Sequence, residues 1–212
     1  MAYQRFPTAK SYVQDGLVAM WDGIENAGWG QHDANATVWK DLIGTRDLTA
    51  QNGAHFGANY ADCAYGTVGP SMFTGNVNAD SVLVVDMVVK SDFSKNTNLY
   101  RLSSTRFWQG LKARIILGSS RSTTPSLGLT SGTHEYQITV DYGSVASYIN
   151  GQLYTSTGRD SNTFNGSGFS LGTESSSYYG GRIYRACLYS RTLTAAEIVA
   201  NYAVDKERFN LP

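Results

Sequence analysis

The sequence predicts an all-β, antiparallel fold that ends in a single helix. Short runs rich in β-branched and aromatic residues recur along the chain, separated by loops rich in glycine and serine. Strand-like and helical segments do not alternate, so the pattern excludes a parallel sheet with crossover helices. The length of 212 residues suits one large β-domain.

The clearest strand lies at residues 135–142, "EYQITVDY", where apolar and polar side chains alternate. This period of two predicts a strand with one buried face. Downstream, Asn150 and Gly151 can both adopt positive φ, as a type I′ turn requires. The dipeptide therefore predicts a hairpin that pairs residues 148–149 with residues 152–153.

The final element is predicted to be an amphipathic helix. Thr194 and Glu197 have the spacing of a capping box, in which each side chain bonds the backbone of the other residue. The apolar stripe expected to lie on the β-sheet comprises Ile198, Val199, Tyr202 and Phe209.

The composition argues against nucleic-acid binding. The chain has 17 basic and 17 acidic residues, hence no basic surface to neutralise phosphates. Charged residues make up 16% of the chain, against about 25% in an average protein, while there are 14 tyrosines and 22 glycines. Such a surface suits a neutral polar ligand such as a sugar, and it equally suits a tyrosine-rich β-protein with no ligand.

No membrane insertion and no signal peptide are expected. The N-terminal segment lacks an apolar core, and the longest apolar run, residues 82–89, is short and interrupted by Asp86. The chain is then either a domain of a larger secreted protein or a product that reaches its destination without export. We expect an N-terminal arm at residues 1–13 and one domain at residues 14–212.

Cysteine and histidine spacings do not predict zinc. The cysteines Cys63 and Cys187 are far apart, which leaves either buried thiols or a single disulfide. The histidines His32, His55 and His134 form no HxxxH or HExxH pattern.

Calcium is a weaker candidate cofactor. Asp33 and Asn35 begin like an EF-hand loop, but Val38 stands where glycine is needed and Gly44 where the bidentate glutamate is needed. A looser site that uses Asp22, Asp33 or main-chain carbonyls remains open, so no cofactor other than calcium is expected.

Catalytic patterns are incomplete. Ser170 lies in a G-x-S-x-G pattern, but loop residues follow it and every histidine precedes it, against the hydrolase order. Paired glucanase carboxylates on one strand would read E-x-D-x-E, and the nearest run, residues 203–207, lacks the first acid and lies in the helix. We therefore expect no enzymatic activity.

The tryptophans suggest both core and ligand roles. Trp21 and Trp39 lie in strand-like contexts and are expected in the core, whereas Trp29 lies between glycines and is expected to be exposed. Exposed rings beside polar side chains stack on sugars, although the same rings could cap the edge of a core. The candidate glycan-binding residues are Trp29, His32, Asp33, Trp108, Tyr178 and Tyr179.

Two groups of motifs support a family resemblance. The C-terminal third has an Asn-Gly hairpin, a glycine ending a short strand, a G-x-I strand and Y-x-R-x-L-[ST]-x-x-E-I before the helix, and the first quarter has W-x-D-L-x-G. The motif residues are Asn150, Gly151, Gly172, Gly181, Arg182, Ile183, Tyr189, Arg191, Leu193, Thr194, Glu197 and Ile198, with Trp39, Asp41, Leu42 and Gly44. This combination resembles the laminin-G-like jelly rolls of the concanavalin A-like lectin/glucanase superfamily.

The resemblance implies a two-sheet antiparallel jelly-roll sandwich with one C-terminal helix and variable rim loops. Trp21, Trp39 and Leu42 would close the sandwich, Asp41 would bond backbone in a turn, and residues 25–35 would form a solvent-facing rim loop. The family includes glycan binders, adhesion modules and glucanases, but the glucanase acids have no counterpart here. The N-terminal form looks like modules of phage virion and gut-bacterial surface proteins.

These observations lead to one expected function and two alternatives. We expect a non-catalytic, lectin-like adhesion module on a virion or in the extracellular space, with cell-surface glycans or other virion proteins as partners and homo-oligomers left open. One alternative is a structural decoration protein of a capsid or tail, anchored by the N-terminal arm. The other is a glucanase-type glycoside hydrolase.

Overall fold

The fold is a two-sheet sandwich covered on one outer face by a helix. In the computed structural model, every strand pairing in the described residues is antiparallel, as predicted. The described residues are 7–63, 72–78, 82, 84–92, 97–102, 105–109, 114–117, 120–123, 133–141, 146–156, 167–172 and 181–212.

The first sheet follows the order β14-β13-β12-β7-β16-β5-β4, and β1 also pairs with β16. Its strands are β1 (Leu17–Asp22), β4 (His55–Phe56), β5 (Ala61–Asp62), β7 (Val84–Asp92), β12 (Thr133–Asp141), β13 (Ala146–Ile149), β14 (Gln152–Ser156) and β16 (Gly181–Tyr189).

The second sheet follows the order β11-β10-β9-β8-β15-β6-β3-β2. Its strands are β2 (Val38–Trp39), β3 (Leu48–Gln51), β6 (Met72–Asn78), β8 (Thr97–Leu102), β9 (Thr105–Gln109), β10 (Arg114–Leu117), β11 (Ser120–Thr123) and β15 (Ser167–Gly172). The chain crosses repeatedly between the sheets, because β6 and β15 belong to the second sheet and the strands that follow them belong to the first.

Aromatic rings join the two sheets in the core. Trp21 of the first sheet stacks on Phe169 of the second, with ring centroids 5.1 Å apart. Trp39 of the second sheet meets Phe56 of the first at 5.6 Å and Phe73 of its own sheet at 5.3 Å, both edge-on. Both tryptophans are fully buried, which confirms that they are core residues.

The C-terminal helix α1 spans Ala195–Phe209 and begins as predicted. The Thr194 hydroxyl accepts a hydrogen bond from the Glu197 amide, and the Glu197 carboxylate accepts one from the Thr194 amide, which completes the capping box. Asn210 ends the helix with a left-handed backbone. No helix in the described residues is both long and apolar enough to cross a membrane.

The buried stripe of α1 differs from the predicted one. Ile198 and Phe209 are buried, but Val199 is 52% exposed, because a residue next to Ile198 points about 100° away from it around the helix. Polar residues complete the buried face: Asn201 and Asp205 are fully buried.

The described part of the predicted N-terminal arm is packed against this helix. A 3₁₀ turn at Ala9–Ser11 leads to Tyr12, which is buried. The Tyr12 hydroxyl donates to Asp205 Oδ1 at 2.8 Å, and the Val13 amide donates to Asn201 Oδ1 at 2.9 Å. Residues 9–13 therefore pack against the rest of the structure.

The predicted hairpin is confirmed. Asn150 and Gly151 have φ of 49° and 75°, and Tyr148 pairs with Leu153 while Ile149 pairs with Gln152.

Candidate functional site

The candidate site is the rim loop, residues 23–37, which connects β1 of the first sheet to β2 of the second. Residues 29–35 are all exposed, as predicted. The expectation of a wholly solvent-facing loop is wrong for Glu25 and Asn26, which are buried because their side chains bond the backbone that shapes the loop.

Glu25 ties the rim loop to the N-terminal segment. Its Oε1 accepts a hydrogen bond from the Ala9 amide at 3.2 Å, and its Oε2 accepts one from the Gly30 amide at 3.0 Å. Arg208 of α1 lies 3.4 Å from Oε1, so the buried carboxylate has a cationic partner. One side chain thus positions two segments that are distant in sequence.

The second half of the loop is closed by two hydrogen bonds between the Asn26 side chain and the Asp33 backbone. Asn26 Nδ2 donates to the Asp33 carbonyl at 2.7 Å, and the Asp33 amide donates to Asn26 Oδ1 at 2.9 Å. Asp33 Oδ1 accepts from the Asn35 amide at 2.8 Å, and His32 Nδ1 lies 3.2 Å from the Gly23 carbonyl oxygen. These bonds leave the loop with a defined shape.

Trp29 stands at the tip of the loop and is 38% exposed. Gly28 and Gly30 have φ of 136° and 67°, which a residue with a side chain rarely adopts, so the glycines permit the sharp turn. The Gln31 amide donates to the Gly28 carbonyl at 2.9 Å across it. The Lys10 amine lies 5.0 Å from the centroid of the Trp29 ring.

The predicted site residues fall into separate places. Trp29, His32 and Asp33 share the exposed stretch of the rim loop. Trp108 lies in β9, five strands from β2, about 24 Å at the usual strand spacing, and its side chain lies outside the described part. Tyr178 and Tyr179 lie outside the described residues.

Asp22, a candidate calcium ligand, is committed to other bonds. Its Oδ2 lies 2.7 Å from Arg208 Nη2, and its Oδ1 accepts from the amides of Ile24 and Glu25. Burial raises the pKa of Asp22, against the attraction of Arg208. In the described ranges there is no group of three or more histidine, cysteine or acidic residues that could hold a metal ion.

A second buried group of acids lies between the first sheet and α1. Arg185 Nε and Nη2 donate to the two carboxylate oxygens of Asp205 at 2.8 and 2.7 Å, and Nη2 also reaches Asp86 Oδ2 at 3.0 Å. Asn201 Nδ2 bridges Asp86 and the Tyr189 hydroxyl. Burial raises the pKa of Asp205 to about 6, because desolvation outweighs the attraction of Arg185.

This group was not predicted from the sequence, although a signal was present. Asp86 interrupts the apolar run at residues 82–89, and Arg185 lies in β16 directly before residues 186–189, which are apolar or aromatic. A charged residue in a buried strand requires an opposite charge nearby, so the two could have been matched.

Other reactive groups are inert in this environment. Ser170 is buried within the strand β15. Cys63 and Cys187 are both free and buried. Burial raises the pKa of Cys187 to about 12, which keeps the thiol protonated and unreactive.

Asp41 and Leu42 behave as the family resemblance implied. Leu42 is buried, and Asp41 Oδ1 accepts from the amides of Met20 and Ile43 while its Oδ2 accepts from the Arg46 amide.

No protein-family model and no curated protein matches the sequence. Among solved structures, the chain is similar to Trypanosoma rangeli sialidase in complex with sialic acid, with a TM-score of 0.64, 18% identity, and coverage of 97% of this chain and 34% of that chain. It is also similar to botulinum neurotoxin type C and to the binding domain of botulinum neurotoxin DC with rat synaptotagmin II. Both give a TM-score of 0.64 at 8% identity and cover 89% of this chain and 51% of theirs.

The chain therefore spans about a third of the sialidase and about half of the toxin structures. At these identities the likeness shows the fold alone, a β-sandwich of the jelly-roll type. The laminin-G-like family stays a prediction.

Proposed function

We propose that this protein is a non-catalytic, lectin-like adhesion module that binds glycans through the rim loop. The observation that carries the proposal is Trp29, an exposed aromatic ring at the tip of a loop fixed by internal hydrogen bonds. Sugars present C–H faces that stack on such rings. A loop that is already ordered loses little conformational freedom on binding, which favours affinity.

Polar groups surround the ring. Gln31, His32, Asp33 and Asn35 are exposed on the same loop, and their side chains can donate to or accept from sugar hydroxyls. A stacking ring with a few orienting polar groups is the usual arrangement of a small-molecule site.

The similar structures support carbohydrate recognition. The sialidase binds sialic acid, and cell entry of botulinum neurotoxin type C depends on interaction with two ganglioside molecules. Both ligands carry sugars. The sandwich fold is therefore compatible with glycan binding, and the rim loop is where we place it in this chain.

Two of the described acids, which form a buried pair, support a non-catalytic role. Asp86 and Asp205 share Arg185 beneath the helix, and all three side chains are fully buried. A glycosidase needs its two carboxylates on either side of a substrate groove. These acids instead stabilise packing.

A glycan array tests the proposal. The full chain should bind a subset of glycans, and Trp29→Ala should abolish binding without unfolding the protein. Tyr154→Ala is a matched control, because Tyr154 is 41% exposed on β14, away from the rim loop. Absence of binding by the wild-type chain, or equal loss in both variants, would refute the role of Trp29.

The place of action is part of the same proposal: the surface of a virion or the extracellular space. The alternative is a structural decoration protein that makes protein–protein contacts, for which the exposed Leu153 and Val199 are the supporting observation. The binding domain of botulinum neurotoxin DC, part of which has a similar fold, was solved in complex with a protein, rat synaptotagmin II. Deletion of residues 1–6, which keeps the packed residues 9–13, should reduce incorporation into particles if the terminus anchors the protein.

Two further measurements decide the remaining alternatives. Light scattering would show whether the chain forms homo-oligomers. Incubation with β-glucans would show turnover only if the chain is a glucanase, and we expect none.

A further inference from the structure

We infer that the rim loop prefers sugars that carry a carboxylate, with Lys10 as the charge partner and Trp29 as the stacking platform. This inference rests on the proposed function and specifies its ligand class. The candidates are pyranoses with an acidic substituent, namely hexuronic acids and sialic acids. Their shared chemistry is one carboxylate attached to a ring that can stack.

The first observation is the position of the Lys10 amine. Lys10 lies in the 3₁₀ turn Ala9–Ser11, and its Nζ is 5.0 Å from the centroid of the exposed Trp29 ring. Because the amine lies over one face of the ring, a pyranose that stacks on the ring either uses the other face or moves the amine aside, and it places its substituents around the ring perimeter. A carboxylate among them can therefore reach this amine on its flexible four-carbon chain.

The second observation is that Lys10 is available. Lys10 is exposed, and none of the ion pairs among the residues with described side chains includes it. The nearby Glu25 carboxylate is buried and bonds Ala9, Gly30 and Arg208 instead. Apart from its contact with the Trp29 ring, the lysine charge has no ionic partner among the residues with described side chains.

The third observation is that one residue positions both partners. Glu25 bonds the amide of Ala9, which precedes Lys10, and the amide of Gly30, which follows Trp29. The distance between the lysine backbone and the tryptophan backbone is therefore set by the two oxygens of a single buried carboxylate. This arrangement holds the cation over the ring.

A charged ligand gains more from this arrangement than a neutral one. A hydrogen bond between an ammonium and a carboxylate is stronger than one between neutral groups. A neutral sugar would stack on Trp29 without using the charge. Because the site is exposed, we expect a moderate preference, roughly fivefold in affinity at low salt.

Calorimetric titration of the full chain tests the inference with three probes: 3′-sialyllactose, a glucuronic acid-terminated disaccharide, and lactose. At least one acidic probe should bind about fivefold more tightly than lactose, and salt should weaken only the acidic ligands. Comparing the two acidic probes distinguishes sialic acid from hexuronic acid.

Variants separate the inference from the proposed function. Lys10→Gln should lower affinity for the acidic probe to that for lactose, and Lys10→Arg should restore most of the preference. Lys40→Gln is the matched control, because Lys40 is an exposed lysine paired with Asp47. Thermal melting should be unchanged in all three variants.

The outcomes are distinct. Equal binding of acidic and neutral sugars, or no effect of Lys10→Gln, would overturn the inference while Trp29-dependent binding kept the proposed function. Binding of no probe, together with a blank glycan array, would overturn both.

Discussion

Two arginines in the described part of the chain have buried side chains, and each pairs with acidic side chains to a different structural effect. Each lies between two acidic side chains, but one group is closed on every side and the other supports an exposed loop. The helix-side cluster comprises Arg185, Asp86 and Asp205. The rim cluster comprises Arg208, Asp22 and Glu25.

The difference lies in what the carboxylates hold. In the helix-side cluster Asp205 bonds Arg185 and Tyr12, so the network fastens the helix and the N-terminal segment to the sheet. In the rim cluster Glu25 accepts hydrogen bonds from the Gly30 amide of the exposed loop and from the Ala9 amide of the N-terminal segment, so the network shapes a surface. Buried charges can thus stabilise the packing of a helix in one region and fix the shape of an exposed loop in another.

Removal of the central arginine of the helix-side cluster should have the largest effect. Arg185→Met leaves Asp86 and Asp205 buried without a cation, which should lower the free energy of unfolding by about 3–5 kcal/mol. Urea denaturation measures this loss. Lys40→Met, at an exposed pair with Asp47, should cost less than about 1 kcal/mol. A loss below that of the control would show that the cluster does not fasten the helix.

The rim cluster should be less sensitive in stability and more sensitive in binding. Glu25→Gln removes the charge, and its side-chain amide can accept from only one of the two backbone amides at Ala9 and Gly30. We expect a loss of about 1–3 kcal/mol in urea together with weaker glycan binding. Unchanged affinity would mean that Trp29 does not depend on Glu25 for its position.

Local patterns account for the features that the sequence predicted correctly. The capping box at Thr194, the Asn150-Gly151 turn and the exposed Trp29 each depend on a few neighbouring residues. Each of these geometries is determined by residues that are close in sequence, so a short stretch of sequence is enough to predict it.

The features that were missed depend on residues distant in sequence. Tyr12 bonds Asp205, which lies 193 positions away, and Arg185 bonds Asp86 across 99 positions. In the sequence Glu25 resembles any other polar loop residue, because the amides of Ala9 and Gly30 that bond it are brought together only by the fold. Such tertiary contacts determine whether a polar residue is buried, and the periodicity of apolar residues along the sequence does not reveal them.

The tip of the rim loop should contribute little to stability. Trp29→Ala removes an exposed ring whose described partner is Lys10, so the free energy of unfolding should change by no more than about 0.5 kcal/mol. Trp39→Ala should instead cost about 3–5 kcal/mol, because Trp39 is fully buried. A large loss of glycan affinity in Trp29→Ala, together with a nearly unchanged free energy of unfolding, would then identify Trp29 as a ligand contact. A large stability loss for Trp29→Ala would mark it as a packing residue.

A partly exposed arginine–acid pair provides the reference for both buried clusters and should give the smallest effect. Arg191 donates two hydrogen bonds to the Glu197 carboxylate at 3.0 and 2.6 Å, and these bonds lower the pKa of Glu197 from 4.5 to about 2. The unfolded chain therefore binds a proton at a higher pH than the folded chain does, so the contribution of Glu197 is present above pH 4.5 and is lost as the pH falls towards 2.

Burial acts in the opposite direction at Asp205. Its pKa is raised from 3.8 to about 6, so its contribution to stability decreases as the pH rises through that interval. Comparison of the wild type with Glu197→Gln in urea at a series of pH values isolates the exposed pair, with Glu207→Gln on the same helix as control. The difference between wild type and Glu197→Gln should disappear at low pH. A difference that stays constant with pH would show that Glu197 acts through its capping bonds to Thr194 and not through its charge.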